Sequence, residues 1–228
     1  VCSEVSDVKQ SYPIQSARTA NAQSNIGVFL GEASPEIEYA EKCASDTNIS
    51  SEGNLIYKWT GDYWKVQENK NNLRDALSWL GIFHRKRANA ACADSCVKTA
   101  AIQVSPLPKK PQNIVIPVDG VWLVMDQQHN LHAVEPRSSL GMTYKVQGIK
   151  TPAIGIYQPA PVPEDSLFGA FIKSSLPDEA VRELVQTYIG YSLSNENRHC
   201  AQMWIGSGSN GKSCMLNIVR ALHEKSVA

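Results

Sequence analysis

Apolar residues recur along this chain with two different periods, and the changes of period outline its elements. Leu73, Ala76, Leu77 and Leu80 stand three and four apart and predict an amphipathic helix that runs into the basic stretch His84, Arg85, Lys86 and Arg87. Before it, residues 55–59 and 63–66 flank a Thr60, Gly61, Asp62 turn and predict a β-hairpin carrying Tyr57, Trp59, Tyr63 and Trp64. Ser34 and Pro35 form a helix start, and Ile37 to Ala44 continue it. Cys92 and Cys96 lie on a further helical stretch.

Prolines then divide the chain. Pro106, Pro108 and Pro111 mark a stiff connector, followed by a small β element from residues 114–116, 121–125 and 131–134, with a polar turn at 126–130. Pro152, Pro159, Pro161 and Pro163 make a second extended linker and exclude a continuous helix across it. A short helix is expected from Asp165, with Leu167, Phe168, Phe171 and Ile172. Another has Pro177 in its first turn and carries Val181, Leu184, Val185, Tyr188, Ile189 and Leu193. Ala201, Met203, Trp204 and Ile205 read as a buried strand of a mainly parallel sheet. Met215, Leu216, Ile218, Val219 and Leu222 read as a helix.

The expected organisation has four parts: a poorly defined N-terminal segment (1–52), an α+β region of small hairpins and helices (53–150), a Pro-rich linker with a helical lead-in (151–199), and the truncated start of an α/β P-loop NTPase (200–228).

Between that last strand and helix lies the chain's most specific chemistry. Residues 206–213 read GSGSNGKS and match the phosphate-binding template GxxxxGKS at each fixed position. Closely spaced glycines let backbone N–H groups converge on an anion, and the following helix aims its positive end at the same point. Gly206, Ser207, Gly208, Ser209, Asn210, Gly211, Lys212, Ser213 and Cys214 are the candidate nucleotide-binding residues. Lys212 is the catalytic candidate, reaching the β- and γ-phosphates, and Ser213 is the magnesium candidate. The expected ligands are ATP and Mg2+.

Composition narrows the picture. With 43% hydrophobic and 19% charged residues over 228 positions, the chain is globular; its 22 cations balance 22 anions, so nucleic-acid binding has to rest on local patches. The basic run at 84–87 is one such patch, and equally a helix end complementing its macrodipole. The hairpin aromatics suit either base stacking or a small core. No apolar run approaches a membrane span and no signal-peptide core opens the chain, which predicts a cytoplasmic protein without membrane contact. Cys2, Cys43, Cys92, Cys96, Cys200 and Cys214 follow no disulfide or zinc spacing and read as free thiols, with His84, His129 and His132 near them only in sequence.

The stretch FGAFIKSSLPDEAVRELVQTYIGYSLSNENRHCAQMWIGSGSNGKS, with Gly190 and Tyr191 ahead of the loop and Asn210 to Ser213 within it, resembles the phage and plasmid primase-helicase family of superfamily III helicases. WTGDYWKV at 59–66 and IVIPVDGVWLVMDQQHNLHAVEP are similar to that family's region preceding the helicase. Ser207 stands where the family commonly has proline, and Cys214 where it commonly has threonine. The resemblance implies an ATP-dependent DNA helicase acting in replication of a mobile element, usually a hexameric ring around one strand of DNA.

The chain opens with Val1 and stops about fifteen residues past Ser213, so it reads as a fragment cut inside its ATPase domain, with little hydrolysis expected of it alone. Two other classes fit parts of the sequence. One is another P-loop NTPase or kinase, although some two hundred residues precede the loop. The other is a single-stranded nucleic-acid-binding or assembly module to which the loop is appended.

Overall fold

The computed structural model describes residues 34–148, 151–196, 199, 201–206, 208 and 210–223. Residues 1–33 of the N-terminal segment, with Cys2, and also Cys200 lie outside the described residues. What is described is α+β: six α-helices and two small antiparallel sheets.

Helix α1 (Pro35–Ala44) starts at the cap read from the sequence, the Ser34 hydroxyl accepting the Ile37 N–H at 3.4 Å. Strand β1 (Ile49–Glu52) pairs antiparallel with β2 (Leu55–Trp59), which pairs with β3 (Trp64–Val66) as the expected hairpin. Helix α2 (Asn69–Phe83), a single 3-10 turn at Arg85–Arg87 and helix α3 (Ala90–Gln103) follow. Tyr39, Ala40, Ile56, Ala76, Leu80, Cys96, Val97 and Ala100 form one buried core between these helices and the sheet. Half of the basic run belongs to this packing: His84 Nε2 lies 2.9 Å from Glu38 Oε2, and Arg87 lies 3.4 Å from Glu36, both on α1.

The second sheet has the order β4 (Val115–Val118), β5 (Val121–Met125), β6 (Leu131–Val134) and β7 (Gly155–Tyr157). The first three are the β element expected from the sequence. The fourth lies within the stretch read as linker; it is an edge strand, the position in a sheet that tolerates neighbouring prolines. The β5–β6 turn is organised by Asp126, whose carboxylate accepts the N–H groups of Gln128 (2.9 Å) and Asn130 (2.8 Å) and meets His132 Nε2 at 2.8 Å.

Three indoles join the sheets. Trp64 and Trp122 are almost fully buried; Trp64 Nε1 donates to Ser138 O at 3.0 Å and Trp122 Nε1 donates to Asp62 O at 2.9 Å. Trp59 packs on both, with ring centroids 5.5 and 6.3 Å away. The hairpin aromatics Trp59 and Trp64 therefore serve packing, as alternating aromatics on a sheet face commonly do.

Helices α4 (Leu167–Ser175) and α5 (Glu179–Ser192) are capped by Ser166 and Asp178, leaving Pro177 just outside the second. Asn195 then pins the lead-in to β4. Its Nδ2 donates to Pro111 O and Asn113 O, and its Oδ1 accepts the Val115 N–H at 2.8 Å. Helix α6 (Lys212–His223) closes the described chain. The expected strand before the loop is not formed: residues 201–206 are in no strand, because no described strand lies alongside to complete a ladder. No helix among the described residues is long and apolar enough to cross a membrane.

Trp64→Ala is expected to cost about 3–5 kcal/mol of stability, measured by urea unfolding, since it removes a buried indole and orphans the Ser138 carbonyl. A loss below about 1 kcal/mol would show that the sheets do not depend on this ring. Asp126 gives a pH test. The His132 hydrogen bond first, then the turn amides, hold its pKa down at about 2. A depressed carboxylate stabilises the fold above the ordinary pKa of about 4 and loses that effect as pH falls through the folded value. The amide-proton chemical shifts of Gln128 and Asn130 should therefore hold steady down to about pH 3 and titrate towards pH 2. A titration midpoint at pH 4 to 5 contradicts this.

Candidate functional site

The glycine loop is positioned from both of its flanks and from the far end of the helix it opens. Gly208 (φ +105°) and Gly211 (φ +79°) both take left-handed backbone, where residues with a Cβ are strained. These turns bend the segment back on itself. Lys212 Nζ donates to Gly206 O, six residues back, at 3.1 Å, and to Asn210 Oδ1 at 2.7 Å. The described part of the loop curls around the lysine, but the strand expected to lead into it is not formed, so the loop is not seated between a strand and a helix.

Gly211 has a second reason to be glycine. A Cβ there would run into Ser175 Oγ and would lie 2.9 Å from the Phe171 ring, so α4 packs directly against the loop backbone. The first turn of α6 follows at once, with Met215 N donating to Gly211 O at 3.0 Å and the Met215 side chain buried. Ser213 and Cys214 lie exposed on that turn. At the other end, Leu222 packs on the second sheet's core and its carbonyl accepts the Gln147 N–H at 2.7 Å. His223 Nε2 sits 3.1 Å from Ser192 Oγ, where burial lowers its pKa.

Lys212 and Asn210 border a cleft of about 260 Å³ whose walls include Leu176, Val185, Gln202 and Trp204. Typical small-molecule clefts span roughly 300–1,000 Å³, so this one is small, and most of its wall is apolar. No acidic side chain lines it.

The structure thus brings Gly206, Asn210, Gly211 and Lys212 together, leaves Gly208 exposed at the turn, and sets Ser213 and Cys214 at the helix start. Ser207 and Ser209 lie outside the described residues. Phe171 and Ser175 were not legible as site residues. Their spacing of four marks one helix face, but nothing in a sequence says which face meets the loop. Among the described residues no cluster of His, Cys, Asp and Glu is arranged to hold a metal ion. Cys43, Cys92 and Cys96 are buried free thiols; burial raises all three pKa values, that of Cys96 to about 12. Comparison of the chain with protein-family models and with curated proteins gave no match.

Two substitutions separate backbone strain from packing in the loop. Gly208→Ala meets no neighbour and should cost only its left-handed strain, about 1–2 kcal/mol. Gly211→Ala adds the collision with α4 and should cost about 1–3 kcal/mol more, read as a lower thermal midpoint. Equal losses would mean that α4 does not seat the loop.

Proposed function

We propose that residues 206–214 bind the phosphate tail of ATP, and that the chain is the ATP-binding portion of a replicative DNA helicase of the primase-helicase type. The observation that carries the proposal is the curled loop with Lys212 at its centre and at the first turn of α6. An anion entering here would exchange the lysine's two neutral acceptors for charged phosphate oxygens, which make stronger hydrogen bonds. It would also meet the helix end, whose first N–H groups have no partner within the helix. The exposed Ser213 hydroxyl is a hard oxygen donor of the kind magnesium takes. Magnesium, when bound, neutralises charge on the β- and γ-phosphates.

Hydrolysis asks more of a site than binding does. It needs a carboxylate to hold the metal and a group to orient water, and the cleft wall supplies neither. In this reading the chain serves as the ATP-binding element of a ring-forming helicase, with turnover and DNA unwinding as properties of the assembled enzyme. There, loss of the γ-phosphate contacts would release one subunit orientation and move DNA.

Lys212→Ala should abolish binding of a fluorescent ATP analogue measured by anisotropy, while the thermal midpoint changes by no more than about 2 °C, because the side chain is only half-buried. Equal binding by wild type and variant would overturn the proposal. ATP turnover by the chain alone should be near background, and a turnover above about 1 per second would require a catalytic carboxylate that the cleft does not show.

A further inference from the structure

Helices α4 and α5 bury little of their apolar surface: Val185 is the only residue of the two that is fully buried, while Leu167, Phe168 and Leu184 stand exposed. Each helix nonetheless carries an apolar row with its members four apart, Phe168, Ile172 and Leu176 on the first and Val185, Ile189 and Leu193 on the second. Together these rows line a groove of about 630 Å³. Gly190 adds room to it. Glycine is a poor helix former, yet it stands inside α5, and a Cβ built on it would meet nothing within 4 Å. The space its missing side chain leaves belongs to the groove.

The charged residues of the lining narrow what the groove takes. Glu164, Glu179 and Glu183 are exposed along it and make no ion pair among the described residues. The cations lining it are Lys173 and Arg182, and Arg182 is turned to the seam between the helices, where Nη1 donates to Leu176 O and Pro177 O, both at 2.8 Å. In a chain of zero net charge this is a local excess of carboxylate beside an apolar floor. A nucleic acid or an anionic lipid surface would meet the carboxylates as like charge. A small apolar ligand would make no use of them. A helix with an apolar stripe and basic residues beside it uses both: its side chains enter between the two rows, and its cations meet the three glutamates.

We propose that the groove between α4 and α5 is a docking site for an amphipathic helix of a partner protein, apolar at positions i, i+3, i+4 and i+7 and flanked by lysine or arginine. The two apolar rows give the affinity, and Glu164, Glu179 and Glu183 select the charge of the partner. The docking site does not depend on nucleotide binding by the glycine loop.

The probe is a labelled synthetic helix of about fourteen residues, the length of α5, with leucine at those positions and lysine beside them, titrated against the full chain by anisotropy. Wild type should bind it at least about tenfold more tightly than the same peptide with glutamate in place of lysine, or with its sequence scrambled. Gly190→Leu fills the groove from within and favours the helix, so it should weaken binding at least about tenfold while the thermal midpoint stays or rises. Glu179→Lys with Glu183→Lys should reverse the preference towards the glutamate peptide. Lys212→Ala should bind the lysine peptide as wild type does, which separates this site from the loop. No binding by wild type, equal binding of the scrambled peptide, or a Gly190→Leu affinity within about twofold of wild type would overturn the proposal. So would sedimentation in which wild type doubles in mass and Gly190→Leu does not, which assigns the groove to a second copy, or pelleting with phosphatidylserine vesicles that Gly190→Leu abolishes, which assigns it to a membrane.

Discussion

The two sheets of this chain are held together by indole rings whose N–H groups each need a carbonyl. Trp64 and Trp122 bury the largest side chains available, and a buried indole without an acceptor would forfeit much of what its burial contributes. Trp64 finds Ser138 and Trp122 finds Asp62, so each sheet's tryptophan is satisfied by backbone outside its own sheet. This reciprocity fixes the second sheet against the first. From the second sheet the constraint passes onward, through Asn195 to the lead-in helix and through Leu222 to the helix that opens with Lys212. The position of the glycine loop is thus the last term in a chain of packed and hydrogen-bonded neighbours.

That dependence explains which parts of the fold could be read from the sequence. Helices α1, α2, α4, α5 and α6 and the β2–β3 hairpin declare themselves through local period and caps, since those signals act within one turn or one strand. β1 was silent because its central residues are Ser50 and Ser51, buried only because β2 and the segment after α3 cover them. β7 was hidden among prolines for a similar reason: an edge strand is defined by its neighbour. Residues 201–205 show the opposite error. Ala201, Met203 and Ile205 are exposed while Gln202 and Trp204 are half-buried, the alternation of a strand, yet no ladder forms. Side-chain pattern is local, whereas pairing requires a second strand.

The candidate site divides in the same way. The eight-residue motif gave the loop, the lysine and the helix start. It could not give the seat on which the loop rests, because Phe171 and Ser175 belong to a helix some forty residues earlier.

A chain of zero net charge has no global field to attract polyanions, so any affinity for phosphate must come from cations left without partners. Packing selects which these are. Carboxylates of α1 take up His84 and Arg87, and Asp75 takes up Lys58, at mutual distances of 2.9 to 3.4 Å. Lys212 is held instead by a carbonyl and an amide, neutral acceptors that a phosphate oxygen outcompetes. Arg85 and Lys86, exposed on the 3-10 turn, make no ion pair among the described residues. Packing thus pairs His84, Arg87 and Lys58 with carboxylates and leaves Lys212 with neutral acceptors at the glycine loop.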